Sequence, residues 1–290
     1  MAPKLGVGAA HGEHGGNEAV ESMSIGVASV VQQGRHGRSV SRGAWVLRYK
    51  AVMDNTLYFR QLKAGRDFGH GDGVAISMDN FIYLIGDRNT RECLVVDPAW
   101  DIPGVLACAE QDDMRVVGAL VTHWHPDHVG GPLFGHSVPG LAELLAANPC
   151  PIHLHRADAE LVMALTGVSR TDLVLHDSGD VVNAGKVEVE CLHTPGHTAG
   201  SQCFRCGDKL IAGDTLFLQG CGRLDLPGSD VDEMWRSLTE RLSTVSDQTV
   251  LYPGHDYGHK PSAPMGEVRA TNPSLRVPSL EDWRRLRGMG

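Results

Sequence analysis

At four places in this 290-residue chain, a short apolar run stops at a small or kinked residue and then at an imidazole or a carboxylate. Val116 to Val121 runs into Thr122-His-Trp-His-Pro-Asp-His128; the alternating stretch Lys186 to Leu192 leads through Thr194-Pro-Gly196 to His197. Leu210 to Gly213 closes on Asp214, and Thr249 to Gly254 stops at His255. Continuous apolar runs of this length read as strands buried on both faces, and alternation reads as a half-buried one. In sheets interleaved with helices, ligand-holding groups collect at the carboxyl ends of strands. The pattern therefore predicts an α/β fold with one reactive edge.

The segment His123 to His128 packs three imidazoles and a carboxylate into six residues. Neutral imidazole and carboxylate suit zinc or iron, so the density points to metal binding rather than to a histidine-rich surface loop. Pro126 and Asp127 read as the start of a helix, with His128 one residue further in. Strand end, tight loop and helix start would aim His123 and His125 at one point, and Asp127 and His128 at another nearby.

The ordered set His-x-His-x-Asp-His at 123–128, His197, Asp214 and His255, with Asp97 ending the earlier run Cys93 to Val96, resembles the metallo-β-lactamase superfamily. Gly213-Asp-Thr-Leu-Phe217, Gly220-Cys-Gly-Arg223 and Gly254-His-Asp-Tyr257 look like the branch that holds glyoxalase II hydrolases and persulfide dioxygenases. The resemblance runs from about Met53 to Arg276. It implies a four-layer αβ/βα sandwich with a metal site at one edge of two sheets. By resemblance to the two-metal members, His123, His125 and His197 would hold one Zn2+, Asp127, His128 and His255 a second, and Asp214 would bridge them.

Water shared by two such ions loses a proton near neutral pH and becomes the nucleophile for an acyl carbonyl. The expected activity is hydrolysis of a thioester of the hydroxyacyl-glutathione type. Asp127 is the expected catalytic residue as well as a ligand. Asp97 is expected to orient ligands through hydrogen bonds without touching an ion. Arg223 and Tyr257 match positions that contact the thiol-derived part of the substrate in the glyoxalase II branch, where an Arg pairs with a carboxylate. The alternative is an iron persulfide dioxygenase in which His123, His197 and Asp214 hold one Fe2+. Only 35 residues follow His255, so most of the helical C-terminal domain of glyoxalase II proper has no counterpart, whereas an inserted segment near 133–151 departs from both groups.

Composition narrows the partners. A net charge of −9 argues against nucleic acid, since phosphate recognition needs a basic face. No apolar run approaches 18 residues, which argues against a membrane span. A small-molecule thiol-derived substrate remains, with a homodimer as a further expectation from the resemblance. Seven cysteines make no even framework and fit a reducing, cytoplasmic setting. Cys203-Phe-Arg-Cys206 precedes a Gly-Asp turn and reads as part of a hairpin rather than as a metal or redox motif.

Residues 1–52 show no hydrophobic period and read as a disordered or mis-started extension, with a catalytic domain at 53–290. The second reading is a transit-type peptide and an organellar address, because residues 22–52 are rich in Arg and Ser and free of acidic residues. Strands are predicted near 80–86, 92–97, 116–121, 151–155, 187–192, 209–213 and 249–252, and helices near 102–112, 138–147, 157–167 and 230–244.

Overall fold

The computed structural model describes residues 56–288, so the expectations for residues 1–52 lie outside the described residues. Two six-stranded sheets face each other. The first carries β1 (Leu57–Lys63), β2 (Phe81–Asp87), β3 (Glu92–Val96), β4 (Arg115–Leu120), β7 (Ile152–His155) and β8 (Leu173–His176), in the order β1-β2-β3-β4-β7-β8. Between β4 and β7 comes a separate hairpin of β5 (Gly131–Leu133) and β6 (His136–Val138). The second sheet carries β9 (Val181–Ala184), β10 (Val187–His193), β11 (Gln202–Cys206), β12 (Lys209–Gly213), β13 (Val250–Pro253) and β14 (Ala263–Pro264), in the order β14-β13-β12-β11-β10-β9.

Alternation along the strands decides which layer each residue joins. Phe81, Tyr83 and Ile85 of β2 and Leu94 and Val96 of β3 point inward and meet Val187, Val189, Cys191, Phe204 and Ile211 of the opposite sheet. Ile82, Leu84, Cys93 and Val95 point the other way, onto a helical layer. That layer uses α2 (Ile102–Gln111), α4 (Leu141–Ala147) and α5 (Ala159–Thr166); α1 (Gly73–Met78) and α3 (Pro126–Val129) are short turns beside the sheet edge. On the far side, Leu210, Ala212 and Leu251 pack against α6 (Val231–Arg236), α7 (Met265–Thr271) and α8 (Leu280–Leu286). Helix, sheet, sheet, helix is the four-layer sandwich expected. Trp283 of α8 is fully buried and its indole N–H donates to Val231 O at 2.8 Å, so an apolar body and its one polar atom are both accommodated.

The predicted strands fall within a residue or two of β2, β3, β4, β7, β10, β12 and β13. The helix expected at 230–244 is not uniform. Asp230 caps α6 by accepting from Glu233 N, but the chain then widens into a π turn over Ser237–Arg241 and tightens into a 3-10 turn at Leu242–Thr244. Leu238 and Leu242 stay in the core, and the Ser237 hydroxyl reaches Pro195 O at 2.6 Å, tying this irregular stretch to the loop before His197. The segment 133–151 contains most of the β5–β6 hairpin and all of α4. Cys203 and Cys206 lie buried on the β11–β12 hairpin. No helix among the described residues is long and apolar enough to cross a membrane.

β3 runs parallel to β4, and β12 parallel to β13, so the segments that follow them emerge on shared edges. The edges are stitched to each other. Gln202 N donates to Thr122 O at 2.9 Å, Gln202 Nε2 reaches Val121 O at 2.9 Å, and Phe81 N donates to Gly254 O at 2.8 Å. Gly213 sits at φ +48 with its Cα so close to Thr122 that an added Cβ would lie 2.5 Å from the threonine hydroxyl oxygen. A side chain there would push β12 and Asp214 away from β4.

Candidate metal centre

Asp97, in a left-handed backbone conformation at φ 54, ends β3 and turns its buried carboxylate under the next strand. It accepts from Thr122 N at 2.7 Å and from the Thr122 hydroxyl at 2.6 Å, and its Oδ2 faces His128 Nδ1 at 3.0 Å. With its own proton committed to Asp97, the Thr122 hydroxyl accepts from His123 Nδ1 at 3.0 Å. His255 Nδ1 is held by Met78 O at 2.7 Å and His197 Nδ1 by Arg223 O at 2.8 Å. Each of these four rings thus has its Nδ1 held by a fixed acceptor and its Nε2 turned inward.

The inward atoms converge. His125 Nδ1 lies 2.9 Å from His197 Nε2, and His128 Nε2 lies 3.3 Å from His255 Nε2. Asp214 extends one oxygen each way: Oδ2 is 3.5 Å from His197 Nε2, and Oδ1 is 3.5 Å from His128 Nε2 and 3.4 Å from His255 Nε2. Asp127 Oδ2 completes the second group at 3.3 Å from His128 Nε2 and 3.4 Å from His255 Nε2. Three sets, His123–His125–His197, His123–His128–Asp214 and Asp127–His128–His255, each place their donor atoms within 4.8 Å of one another.

These residues fit a metal for a reason internal to the structure. His123 Nε2 and Asp214 Oδ1 are buried with no hydrogen-bond partner, and two pairs of imidazole nitrogens face each other at hydrogen-bond range. Buried polar atoms seldom stay unsatisfied, and lone pairs aimed at a common point are what a cation satisfies. The donors are nitrogen and oxygen only, the set that zinc and iron accept.

Charge is divided unevenly across the site. Burial and the neighbouring His128 and His197 push His123 well below the ordinary imidazole range; burial and His197 bring His125 down to about 4. Burial also disfavours charge on His128, but Asp127 and Asp214 outweigh it and raise that ring to about 10. His255 is raised for the same reason, chiefly by Asp214 against the opposing effect of burial. The two carboxylates are in turn held well below their usual range, burial being overcome by His128 and His255.

Around the cluster, Tyr257 stacks on His255 with ring centroids 4.7 Å apart and an 8° interplanar angle, and the residue is 54% exposed. Phe217 meets Tyr257 edge-on at 5.4 Å. Arg223 is exposed, and its guanidinium makes a bidentate pair with Asp225 at 2.9 and 2.7 Å, while its carbonyl holds His197. Gly222 lets that loop approach, since a Cβ there would lie 2.8 Å from the His197 ring. His193 stays out of the donor set: its Nε2 meets Ala199 O at 2.9 Å and its ring stacks on His155 at 3.7 Å. Cys221 is half-buried against Ser274 and Arg287.

Sequence reasoning passed over Asn80, whose Nδ2 donates to Asp127 Oδ2 at 3.2 Å while its Oδ1 accepts from Trp100 Nε1 at 3.1 Å. It also passed over Thr122 and the Met78 carbonyl. Asn80 and Thr122 stand beside patterned runs but carry no metal-ligand signal of their own, and Asn80 is 47 residues from its partner.

Sandwich and donor cluster together define a metalloenzyme of one class, and the chain belongs to the Metallo-beta-lactamase superfamily, whose profile matches residues 78–255. Among characterised relatives it is 37% identical over 210 residues to the hydroxyacylglutathione hydrolase of Rhodospirillum rubrum, covering 72% of this chain and 74% of that protein. It is 30% identical over 212 residues to the human mitochondrial persulfide dioxygenase ETHE1, covering 72% of this chain and 76% of that protein. The crystal structure of ETHE1 from Myxococcus xanthus superposes with a TM-score of 0.65 at 27% identity, over 80% of this chain and 90% of that one.

Proposed function

We propose that this enzyme is a glyoxalase II-like thioester hydrolase with two zinc ions, acting on a hydroxyacyl thioester of a small acidic thiol. The observation that carries the reading is the completeness of the double donor set: His125, Asp127, His128 and His255 all turn ligand atoms inward. A single-ion site built on His123, His197 and Asp214 alone leaves those four without a task. His123, His125 and His197 would hold one ion, Asp127, His128 and His255 the other, and Asp214 would give one oxygen to each. When bound, such ions polarise a carbonyl and acidify water near neutral pH.

The protein's own groups do the rest. The proton-bearing Nδ1 atoms, anchored on Asp97, Thr122, Met78 and Arg223, keep the rings from turning as substrate enters. Asp127, held through Oδ2 by Asn80 Nδ2, would take up a proton in transit. Phe217 and the half-exposed Tyr257 offer an apolar wall over His255 for the substrate's thiol-derived part. Arg223, released from Asp225, is the group that would pair with a substrate carboxylate.

A second reading, an iron dioxygenase acting on a persulfide, draws support from the 30% identity to the human enzyme. The deciding measurement is elemental analysis of protein purified without added metal, run beside assays of hydroxyacyl-glutathione hydrolysis and of oxygen uptake with glutathione persulfide. About two zinc per chain with hydrolysis is expected. About one iron per chain with oxygen uptake would replace the hydrolase reading with the second one.

A further inference from the structure

Asp158 is 1% exposed, follows β7 at the end of a single 3-10 turn, and has no cationic partner. Its carboxylate instead gathers three neutral donors from two distant segments. Oδ2 accepts from Trp124 N at 3.2 Å and from the Thr198 hydroxyl at 2.7 Å, and Oδ1 accepts from Gly200 N at 2.7 Å. Gly200 permits the contact, since a Cβ on it would lie 2.5 Å from the carboxyl carbon. Burial without a counter-charge pushes this carboxyl up to about 6, so the structure keeps it despite an unfavourable environment.

The two segments are those that carry the first group of donors. Trp124 N lies between His123 and His125 on the loop after β4, in one sheet. Thr198 follows His197 on the loop between β10 and β11, in the other sheet. The clamp is braced on the second side: Thr198 N donates to Ser201 Oγ at 2.9 Å, and Gly196 N donates to Thr198 O at 3.0 Å. Asp158 is therefore the one side chain among the described residues that bonds to both loops.

We propose that Asp158 is a positioning residue for the His123–His125–His197 pocket: it binds no ion, and by bonding both loops it sets the separation of His125 from His197 across the gap between the sheets. The second pocket does not depend on it, because His128 and His255 hang from Asp97 and from Met78 O. The inference rests on the metal-binding reading above but not on the choice between hydrolase and dioxygenase.

The test is a titration of the metal-free full chain with cobalt, followed by its visible absorption, for the wild type, Asp158→Asn, Thr198→Val, Thr198→Ser and Asp87→Asn. An amide at 158 can replace only one oxygen and turns an N–H₂ toward the other donor. Asp87 supplies the comparison: it is a 0% exposed carboxylate at the far end of β2 that accepts from Asn89 N and Lys186 N, both at 2.8 Å. The expected result is two binding steps in wild type, with one of them weakened about 10- to 100-fold in Asp158→Asn and the other unchanged. Thr198→Val should show a smaller loss in the same step, restored by Thr198→Ser, while Asp87→Asn leaves both steps as in wild type.

A folded Asp158→Asn protein with two wild-type steps overturns the proposal, and so does equal weakening of both steps, or the same loss in Asp87→Asn. Should Asp158→Asn not fold, the threonine pair decides: wild-type binding by Thr198→Val overturns it. Failure of the wild type itself to take up cobalt would sink the metal-binding reading instead.

Discussion

The two halves of the donor cluster are built on different principles. In the first, His123, His125 and His197, burial and neighbouring imidazoles hold His123 and His125 below the ordinary imidazole range, against the weaker opposing pull of Asp214 and, for His125, Asp127. The second, Asp127, His128 and His255, is saturated with carboxylate, and its rings keep a proton to high pH. An imidazole that burial keeps unprotonated can meet a cation directly, whereas one whose proton is favoured by carboxylates must release it first. The supports differ as well. Backbone carbonyl, hydroxyl and the Asp158 clamp hold the first; Asp97, Asn80 and Met78 O hold the second.

The severest way to break this division is to remove the residue common to both halves. Asp214→Ala takes an oxygen from each pocket, and metal content and turnover should fall together, turnover by about a thousandfold or more. Elemental analysis and a rate assay on one preparation check this, and retention of either quantity separates Asp214 from the site. Next comes Asp97→Asn. Because Asp97 holds His128 directly and His123 through Thr122, both cobalt steps should weaken by about 10- to 100-fold, against one step for Asp158→Asn. If only one step moves, Asp97 supports a single pocket and the two are independent of each other.

Arg223→Ala sharpens the boundary between ion and substrate. Its guanidinium touches no donor atom, so metal content should stay at wild type while KM for an acidic thioester rises by about tenfold. Unchanged kinetics would leave Arg223 as only the partner of Asp225. The smallest expected effect concerns histidines outside both pockets. His153 Nδ1 faces His176 Nε2 at 2.9 Å, and burial, then His176, lowers His153 from 6.5 to about 4. The unfolded chain therefore binds this proton more readily than the folded one. The contribution to stability is present above about pH 6.5 and is lost as pH falls toward 4, amounting to roughly 1–3 kcal/mol. Urea unfolding of the metal-free protein at pH 7 and pH 5 should show a smaller drop in His153→Asn than in wild type; parallel drops would assign the acid sensitivity to other groups.

Much of the architecture is legible in the sequence itself. β2, β3 and β4 are apolar on both faces, and a continuous apolar run has no other stable home than a sheet covered twice. The elements missed include the longer strands β1, whose LYFRQLK run does not alternate cleanly, and β11, but several are of another kind. β8 and β9 are four-residue strands, one of them exposed at Val174 and the other at Val181, and the β5–β6 hairpin has three residues a side. Such pieces are too short for a period to show, and pairing with a neighbour, not composition, makes them strands. The interruption after Arg236 was hidden for the opposite reason. Trp235, Leu238 and Leu242 keep helical spacing through it, so the apolar pattern survives a change in hydrogen bonding.

The seven residues that meet in this cluster were legible because they lie in segments that follow hydrophobic runs, a local signature that needs no knowledge of neighbours. Which ring nitrogen faces inward, which carboxylate oxygen goes to which pocket, and which side chains brace the loops belong to the folded state alone. His255 takes its orientation from a carbonyl 177 residues away, His197 from one 26 residues away, and Asp158 from donors on two separate loops. Hydrogen bonds of that reach depend on three-dimensional approach, and no spacing of residues along the chain encodes them.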